Sequence, residues 1–336
     1  MSASSAGHHP ALSVVIPAYN SHSTILACLE ALERQTFSDF ETIVVDSGPD
    51  GTSERIVRER FPRVRFLRSA NRLLPQAARR MGVAHAASAV IVFTDPDCYA
   101  EREWLERLMA RHRATGEVVV GALACHGDRL WDRAVHLCKF SKWLPGGSAR
   151  PVDMAPTANL LIDREQLRAA GDLAVSDSLM GDVELSRNLL ANGRTLWFES
   201  AAVVAHHHEQ TLWSFARERF GRGRRYGALR ASWLGHRVAP LLRFLVATVL
   251  PVRMVRISAL VARDAYRAGQ LGAFVLGLPV VLGGHALSLG GEAVAYAGAL
   301  FTPAPRGLPV APGQPNPGEL EPGARGPEVP VARPDM

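Results

Sequence analysis

The sequence predicts an α/β protein with a mainly parallel sheet, followed by apolar helices and an unstructured tail. Three observations carry this. Apolar runs and helical patterns alternate four times in the first hundred residues, which is the signature of βα units. Several of the runs end in polar or acidic residues, as strands do at the ligand-binding edge of an open sheet. Beyond Trp213 the composition turns to arginine and aromatics and then to long apolar stretches. The chain has 336 residues, 47% of them hydrophobic, enough for a core of about 200–250 residues plus an appendage.

Leu12-Ser13-Val14-Val15-Ile16-Pro17 reads as a buried first strand, and Ala18-Tyr19-Asn20-Ser21 turns out of it. Ile25, Leu26, Leu29 and Leu32 recur at helical spacing. Phe40 to Asp46 is a second strand ending in an acid. Thr52 or Ser53 is placed to cap the helix that runs to Arg60. Val64 to Leu67 is a short strand, and Asn71 to Ala87 has a helical pattern. Val90-Ile91-Val92-Phe93-Thr94 then forms a strand for the sheet interior. It ends in Asp95-Pro96-Asp97, where proline takes the chain out of the sheet.

The middle is less regular. Trp104 to His112 is an amphipathic helix, and Val118 to Gly121 a strand. Leu130 to Trp143 mixes aromatic and basic residues ahead of the loop Pro145-Gly146-Gly147. Ala155 to Ile162 brings Asn159 into a strand, and Asp163 is placed to cap the next helix. Asp182 and Glu184 open a helix with apolar residues Val183, Leu185, Leu189 and Leu190, closed by Gly193. Thr195 to Phe198 and Ala202 to Ala205 read as two short strands leading into His206-His207-His208. Three consecutive histidines cannot all face one metal, and a solvated loop is the alternative.

Tyr19-Asn20, Asp46 and Asp95/Asp97 therefore converge on one sheet edge, where open α/β folds bind ligands. Two hard oxygen ligands at a strand end suit Mg²⁺ or Mn²⁺ shared with a diphosphate. Asp182 is a candidate general base, while the simpler reading of Asp182 and Glu184 is a dipole-favoured acid pair in a first helical turn. There is no G-x-G-x-x-G after the first strand and no G-x-x-x-x-G-K-[ST], which argues against dinucleotide binding and P-loop hydrolysis. Cys28, Cys98, Cys125 and Cys138 make no C-x-x-C pair and no metal spacing, as in a reduced cytosolic domain. The first ten residues have no basic region of the signal-peptide kind.

These residues resemble the family-2 glycosyltransferases with a GT-A fold, a Rossmann-like, mainly parallel α/β architecture. The resemblance covers about Leu12 to Tyr226. Val15-Ile16-Pro17-Ala18-Tyr19-Asn20 resembles the family's opening motif. It implies donor-side roles for Pro17, Tyr19 and Asn20, for Asp46 at the nucleotide base or ribose, and for Asp95. Asp95-Pro96-Asp97 resembles the DxD motif, which implies a divalent cation, Mg²⁺ or Mn²⁺, on Asp97 and Asp95. Thr157-Ala158-Asn159-Leu160 falls in the acceptor-side strand. Gly181-Asp182-Val183-Glu184-Leu185 resembles the Glu-Asp-x-Asp-Leu motif, with Asp182 at the catalytic base and Glu184 on the acceptor side. Gly181 and Glu184 depart from that motif. His206 matches a histidine that some relatives use near the diphosphate and metal. The Gln-x-x-Arg-Trp motif of processive synthases is absent, with Arg217 to Tyr226 in its place.

Seven arginines and one acid lie between Arg217 and Arg237, interleaved with Trp213, Phe215, Phe220, Tyr226 and Trp233. The net charge of the whole chain is +6. Such a stretch suits nucleic acid or an anionic membrane. The apolar segments downstream favour the membrane and argue against nucleic acid. Leu271 to Gly291 is 21 residues without a charge, long enough to span a hydrocarbon core. Val238 to Val252 reads as interfacial or re-entrant, the arginine-rich Arg253 to Arg267 as a cytoplasmic linker, and Ala293 to Phe301 as a further apolar stretch. Residues 302–336, rich in proline and glycine, read as disordered.

The expected organisation is thus a flexible start (1–10), a GT-A domain (11–210), basic amphipathic and hydrophobic membrane-associating helices (211–301) and a tail (302–336). The expected activity is inverting, metal-dependent transfer from a nucleotide-sugar, a UDP-sugar by the family's commonest usage. The acceptor would be a hydroxyl of a lipid or lipid-linked glycan, at the cell membrane, with the catalytic domain on the cytoplasmic side. The alternatives are a polyprenyl-phosphate glycosyltransferase and a silent membrane-bound sugar-nucleotide binding protein.

Overall fold

A computed structural model describes residues 9–171 and 179–301. The expected flexibility of residues 1–8 and the expected disorder of the tail lie outside the described residues. Strands β1 (Leu12–Ala18), β2 (Phe40–Asp46), β3 (Arg65–Arg68) and β4 (Val90–Thr94) alternate with helices α1 (Ile25–Glu33), α2 (Thr52–Arg60) and α3 (Pro75–His85). The four strands are parallel, in the order β3-β2-β1-β4. Every residue of β1 is buried, because helices cover both faces of a parallel sheet and leave no wet side to alternate with.

Two helix starts differ from expectation. Gly51, not Thr52 or Ser53, is the N-cap of α2, at φ 66°, and the Asp50 carboxylate accepts from the Thr52 N–H at 3.1 Å. Helix α3 begins at Pro75 rather than Asn71. Proline suits the first helical position and holds the preceding Leu74 extended.

The second half of the sheet is mixed. Strands β5 (Cys98–Ala100), β6 (Val118–His126), β7 (Arg150–Val152), β8 (Asn159–Asp163) and β9 (Leu196–His207) are interspersed with helices α4 (Trp104–Thr115), α5 (Leu130–Phe140), α6 (Arg164–Ala169) and α7 (Gly181–Ala191). Strand β8 lies antiparallel between β4 and β6, and β6 is parallel to β9. Asp163 caps α6 as expected, in a reciprocal capping box with Gln166.

The two short strands expected at 195–198 and 202–205 are one strand, β9. It is interrupted where Gly121 pairs with Glu199 but Ala122 pairs with Val203. A bulge of this kind leaves backbone carbonyls without ladder partners. Asn159 fills the gap: its Nδ2 donates to Ala122 O at 2.8 Å and Ala202 O at 3.0 Å, while Trp104 Nε1 donates to its Oδ1 at 2.9 Å. Gly121 leaves the room, since a Cβ there would lie 2.2 Å from Asn159 Nδ2.

Helices α8 (Leu212–Trp233), α9 (Val238–Val249), α10 (Pro251–Arg267) and α11 (Leu271–Phe301) complete the described chain. Arg253 to Arg267, expected as a linker, is helical, and α9 meets α10 at a bend of 66° before Pro251. Ala293 to Phe301 is not a separate segment but the end of α11. The reason is that Glu292 is neutralised within the fold: Arg253 donates to both its oxygens at 2.9 and 3.1 Å, and the Tyr296 hydroxyl donates at 3.1 Å. Nor is the arginine stretch wholly solvated, since Arg219 and Arg230 are buried. Helix α8 runs close against α11 through Gly223, where a Cβ would come within 1.9 Å of Ser288 O. Val135 and Leu137 of α5, Phe215, Val261, Ala265, Phe274 and Val281 form one apolar cluster joining the helices to the α/β unit.

A candidate active site at the switch point of the sheet

Strand β1 has β2 on one side and β4 on the other, so successive connections leave it in opposite directions. A crevice opens at such a point, beyond the carboxyl ends of the strands. It is a cleft of about 450 Å³ bordered by Pro17, Tyr19 and Asn20 after β1, and by Asp95, Pro96 and Asp97 after β4. Gln76 and Arg79 of α3, Thr157, Asp182 of α7, and His207 and Glu209 after β9 also border it. Residues far apart in sequence meet here because parallel strands share one C-terminal edge.

Most of the expected residues are brought together. Asn20 sits in the left-handed region at φ 53°, uncommon for a residue with a side chain and frequent at functional turns. Asp46, fully buried, accepts from the Gly48 N–H at 3.0 Å. Burial pushes its carboxyl above the usual carboxylate range, and that hydrogen bond opposes the shift. Tyr19 is partly exposed with the Arg72 guanidinium 4.4 Å from its ring centroid. Asp95 is held by Arg79, which is buried on α3.

Asp97 Oδ2 lies 3.8 Å from His206 Nε2. The other ring nitrogen of His206 faces the His207 carbonyl at 2.9 Å. A carbonyl only accepts, so Nδ1 carries a proton and Nε2 is the nitrogen turned toward Asp97. Burial raises the Asp97 carboxyl pKa and His206 opposes this. The pair fits a divalent cation: one carboxylate, one oriented imidazole and space in the cleft for diphosphate oxygens. Cys98, beside them, is buried with its thiol pushed far up, and so stays protonated.

Asp182 reaches the cleft from the first turn of α7, with Arg222 of α8 at 3.9 Å. Asp46 and His206 stand behind the lining, against the Gly48 turn and Asp97, and do not themselves border the cleft. Two other expectations are not met by side-chain position. Asn159 stands at the edge of β8, but its side chain is wholly buried in the β-bulge and does not border the cleft. Glu184 follows Asp182 on α7 and is not among the residues bordering the cleft. Conversely, Gln76, Arg79, His207 and Arg222 were not expected. Gln76 Oε1 and Arg79 Nε are buried polar atoms with no hydrogen-bond partner among the described residues, the kind of group a bound polar ligand satisfies. Their only signal in the sequence is their place in the first turns of a helix that begins with Pro75.

The family model described as glycosyl transferase family 2 matches residues 13–157, which hold β1 to β4 and the Asp95-Pro96-Asp97 turn. Glycosyltransferase AglE of Haloferax volcanii is 27% identical over 203 residues, 59% of this chain and 67% of that protein. Validoxylamine A glucosyltransferase of Streptomyces hygroscopicus subsp. jinggangensis is 35% identical over 127 residues, 36% of this chain and 30% of that protein, so the match spans under a third of its length. Among solved structures, mannosyltransferase PcManGT from Pyrobaculum calidifontis, in complex with GDP-Man and Mn²⁺, has a TM-score of 0.54 at 19% identity, over 88% of both chains. That likeness is one of fold, and it extends the agreement from the first 157 residues to most of the described chain. The switch-point cleft, the acidic turn after β4 and the match across β1 to β4 agree, and together they support a glycosyl transferase family 2 domain in this chain.

Proposed function

We propose that the protein transfers a sugar from a nucleoside diphosphate sugar to an acceptor hydroxyl with inversion, using a divalent cation. The observation that carries this is the joint presence of Asp97 and Asp182 on one cleft, with His206 behind Asp97 at 3.8 Å. Asp97 and His206 would hold the cation, whose chemistry is to neutralise charge on the departing diphosphate. The partnerless Gln76 Oε1 is suited to accept from a hydroxyl of the donor sugar and Arg79 Nε to donate to a donor oxygen, and Arg79 keeps Asp95 oriented. Tyr19, Asn20 and Asp46 lie at the β1 and β2 ends, where the nucleoside would sit. Asp182 takes the proton from the acceptor hydroxyl as its oxygen bonds to the anomeric carbon and the diphosphate leaves from the opposite face.

The acceptor is proposed to be a lipid or lipid-linked glycan at a membrane. Helix α11 is long and apolar enough to cross a bilayer, and Val249, Val252, Val255, Val275 and Leu276 expose a run of apolar side chains. Arg222 beside Asp182 favours one second reading, transfer to a lipid phosphate, because its guanidinium would pair with an anionic nucleophile.

The test is a donor screen on detergent-solubilised protein with membrane lipid as acceptor, following nucleoside diphosphate release with and without Mn²⁺ or Mg²⁺. Metal-dependent release from one donor, lost in Asp97→Ala and in Asp182→Asn, is the expected result. Loss in Asp97→Ala alone would replace the hydroxyl acceptor by the phosphate. Folded protein that binds nucleotide but releases nothing from any donor or lipid would leave only a binding role.

A further inference from the structure

The three consecutive histidines point to different partners. His206 faces Asp97, His207 borders the cleft near Glu209, and His208 turns the other way toward α5. There it meets His136: His136 Nδ1 and His208 Nε2 are 3.0 Å apart. Cys125, near the end of β6, completes a group whose ligand atoms all lie within 4.8 Å of one another. The two rings are buried and the thiol is half-buried.

The protonation states are set by the partners. His136 Nε2 faces the Leu123 carbonyl at 2.9 Å, which only accepts, so Nε2 carries the ring proton and Nδ1 is a lone pair. The proton between them therefore belongs to His208 Nε2. A carbonyl holding the far nitrogen of an imidazole is also the arrangement that orients histidines bound to metals.

We propose that Cys125, His136 and His208 form a binding site for a soft or borderline transition-metal ion of the Zn²⁺ type, separate from the Asp97 centre. One thiolate and two neutral imidazoles select such an ion over Mg²⁺ or Mn²⁺. Tetrahedral bonds of about 2.0–2.1 Å to nitrogen and 2.3 Å to sulfur put the ligand atoms roughly 3.3–3.7 Å apart. The two nitrogens need to part by a few tenths of an ångström, and the sulfur to close in by rotation about its own side chain. The ion takes the place of the proton between the rings. His208 changes tautomer, its proton passing from Nε2 to Nδ1, and the Cys125 thiol loses its proton to solvent, one proton released per ion. Uptake is therefore proton-coupled and strengthens with pH. The fourth position remains for water on the half-buried Cys125 side.

The site bears on the cleft through ring contacts. His208 stacks on His206 with centroids 4.7 Å apart, and Phe140 lies 5.0 Å from His206 and 6.1 Å from His208. Its role is to fix the end of β9, and so the His206 ring.

The experiment uses full-length protein in detergent, stripped with chelator, dialysed and titrated with Co²⁺. One equivalent should bind with a thiolate-to-cobalt charge-transfer band and the strong visible bands of a tetrahedral ion, displaced by Zn²⁺. Cys125→Ser should abolish the charge-transfer band, and His208→Gln should weaken binding by about 100-fold or more. Asp97→Ala should leave the spectrum intact. A folded wild-type protein with no charge-transfer band, or a band that survives Cys125→Ser, overturns the proposal. X-ray absorption of the zinc-loaded wild type decides independently of any variant: one sulfur and two imidazole scatterers are expected, and a shell without sulfur refutes the site.

Discussion

Replacing Asn159 by leucine tests whether this residue serves the fold or the acceptor. Leucine has the same number of side-chain heavy atoms, branched at the same carbon, and none of the polar atoms. It would orphan three buried groups: the Trp104 indole N–H and the Ala122 and Ala202 carbonyls. Each unpaired group costs about 1–3 kcal/mol, or roughly 3–9 kcal/mol together. Burying the leucine side chain returns about 1.5–3 kcal/mol, so a net loss of roughly 2–6 kcal/mol is expected. That is a large part of the ~5–15 kcal/mol that holds a domain folded. Thermal unfolding followed by tryptophan fluorescence should show Tm falling by about 5–20 °C. Because the bulge aims the second half of β9, protein still folded at low temperature should also bind Mn²⁺ more weakly at the proposed Asp97 centre. Asn159→Asp should be at least as damaging, since its second oxygen would face two carbonyl oxygens. A structural role for Asn159 is refuted if Asn159→Leu unfolds within about 2 °C of wild type. A fall in kcat at unchanged Tm would return Asn159 to an acceptor role.

Three further outcomes are expected of the site and the helices. Arg79→Ala removes the buried partner of Asp95 and should weaken nucleotide binding by roughly 10–100-fold, since hydrogen bonds to charged groups are worth about 1.5–3 kcal/mol; unchanged affinity in calorimetry would refute the role. Asp46→Asn should stabilise the protein at neutral pH while weakening nucleotide binding. The folded carboxyl is raised by burial, so its stabilising neutral form is present below the unfolded pKa of about 3.9 and lost as pH rises through the folded pKa. The stability gap between Asp46→Asn and wild type should therefore open as pH rises from about 3 to 7, and a gap that is constant or closes contradicts the sign. Gly223→Ala should lower stability by about 1–3 kcal/mol because its Cβ meets the Ser288 carbonyl at 1.9 Å. Gly290→Ala on α11, where nothing lies within 4 Å, is the control and should leave Tm unchanged.

Much of the α/β unit was legible because its signals are local. The runs before Pro17, Asp46 and Asp95 are apolar without alternation, which only a doubly covered sheet accommodates, and the acids after them mark its edge. The misreadings arose where a long-range contact outweighed the local pattern. The chain between Phe198 and Ala202 looks like a break between strands, yet Asn159 satisfies the interrupted ladder from 43 residues away. Glu292 looks like the end of an apolar segment until Arg253 is found beside it. Gly291 of α11 likewise owes its place to a distant neighbour, the Phe220 carbonyl of α8, which lies within 2.2 Å of a would-be Cβ. Arg79 and Arg222 carried little signal because arginines are common on helices, and only packing decides which one faces a cleft.

Helix α8 answers to two neighbours at once. One side is locked to α11 at Gly223 and Gly227, where there is no space for a side chain, and beside that seam Arg222 stands 3.9 Å from Asp182. A chimera joined at residue 211 would give Asp182 a foreign neighbour and give α5 a foreign apolar face. The transplantable unit is therefore larger than the C-terminal helices. It includes α5 and α7, and any shift of α11 along its axis would be delivered, through a seam without slack, to Asp182 at the cleft.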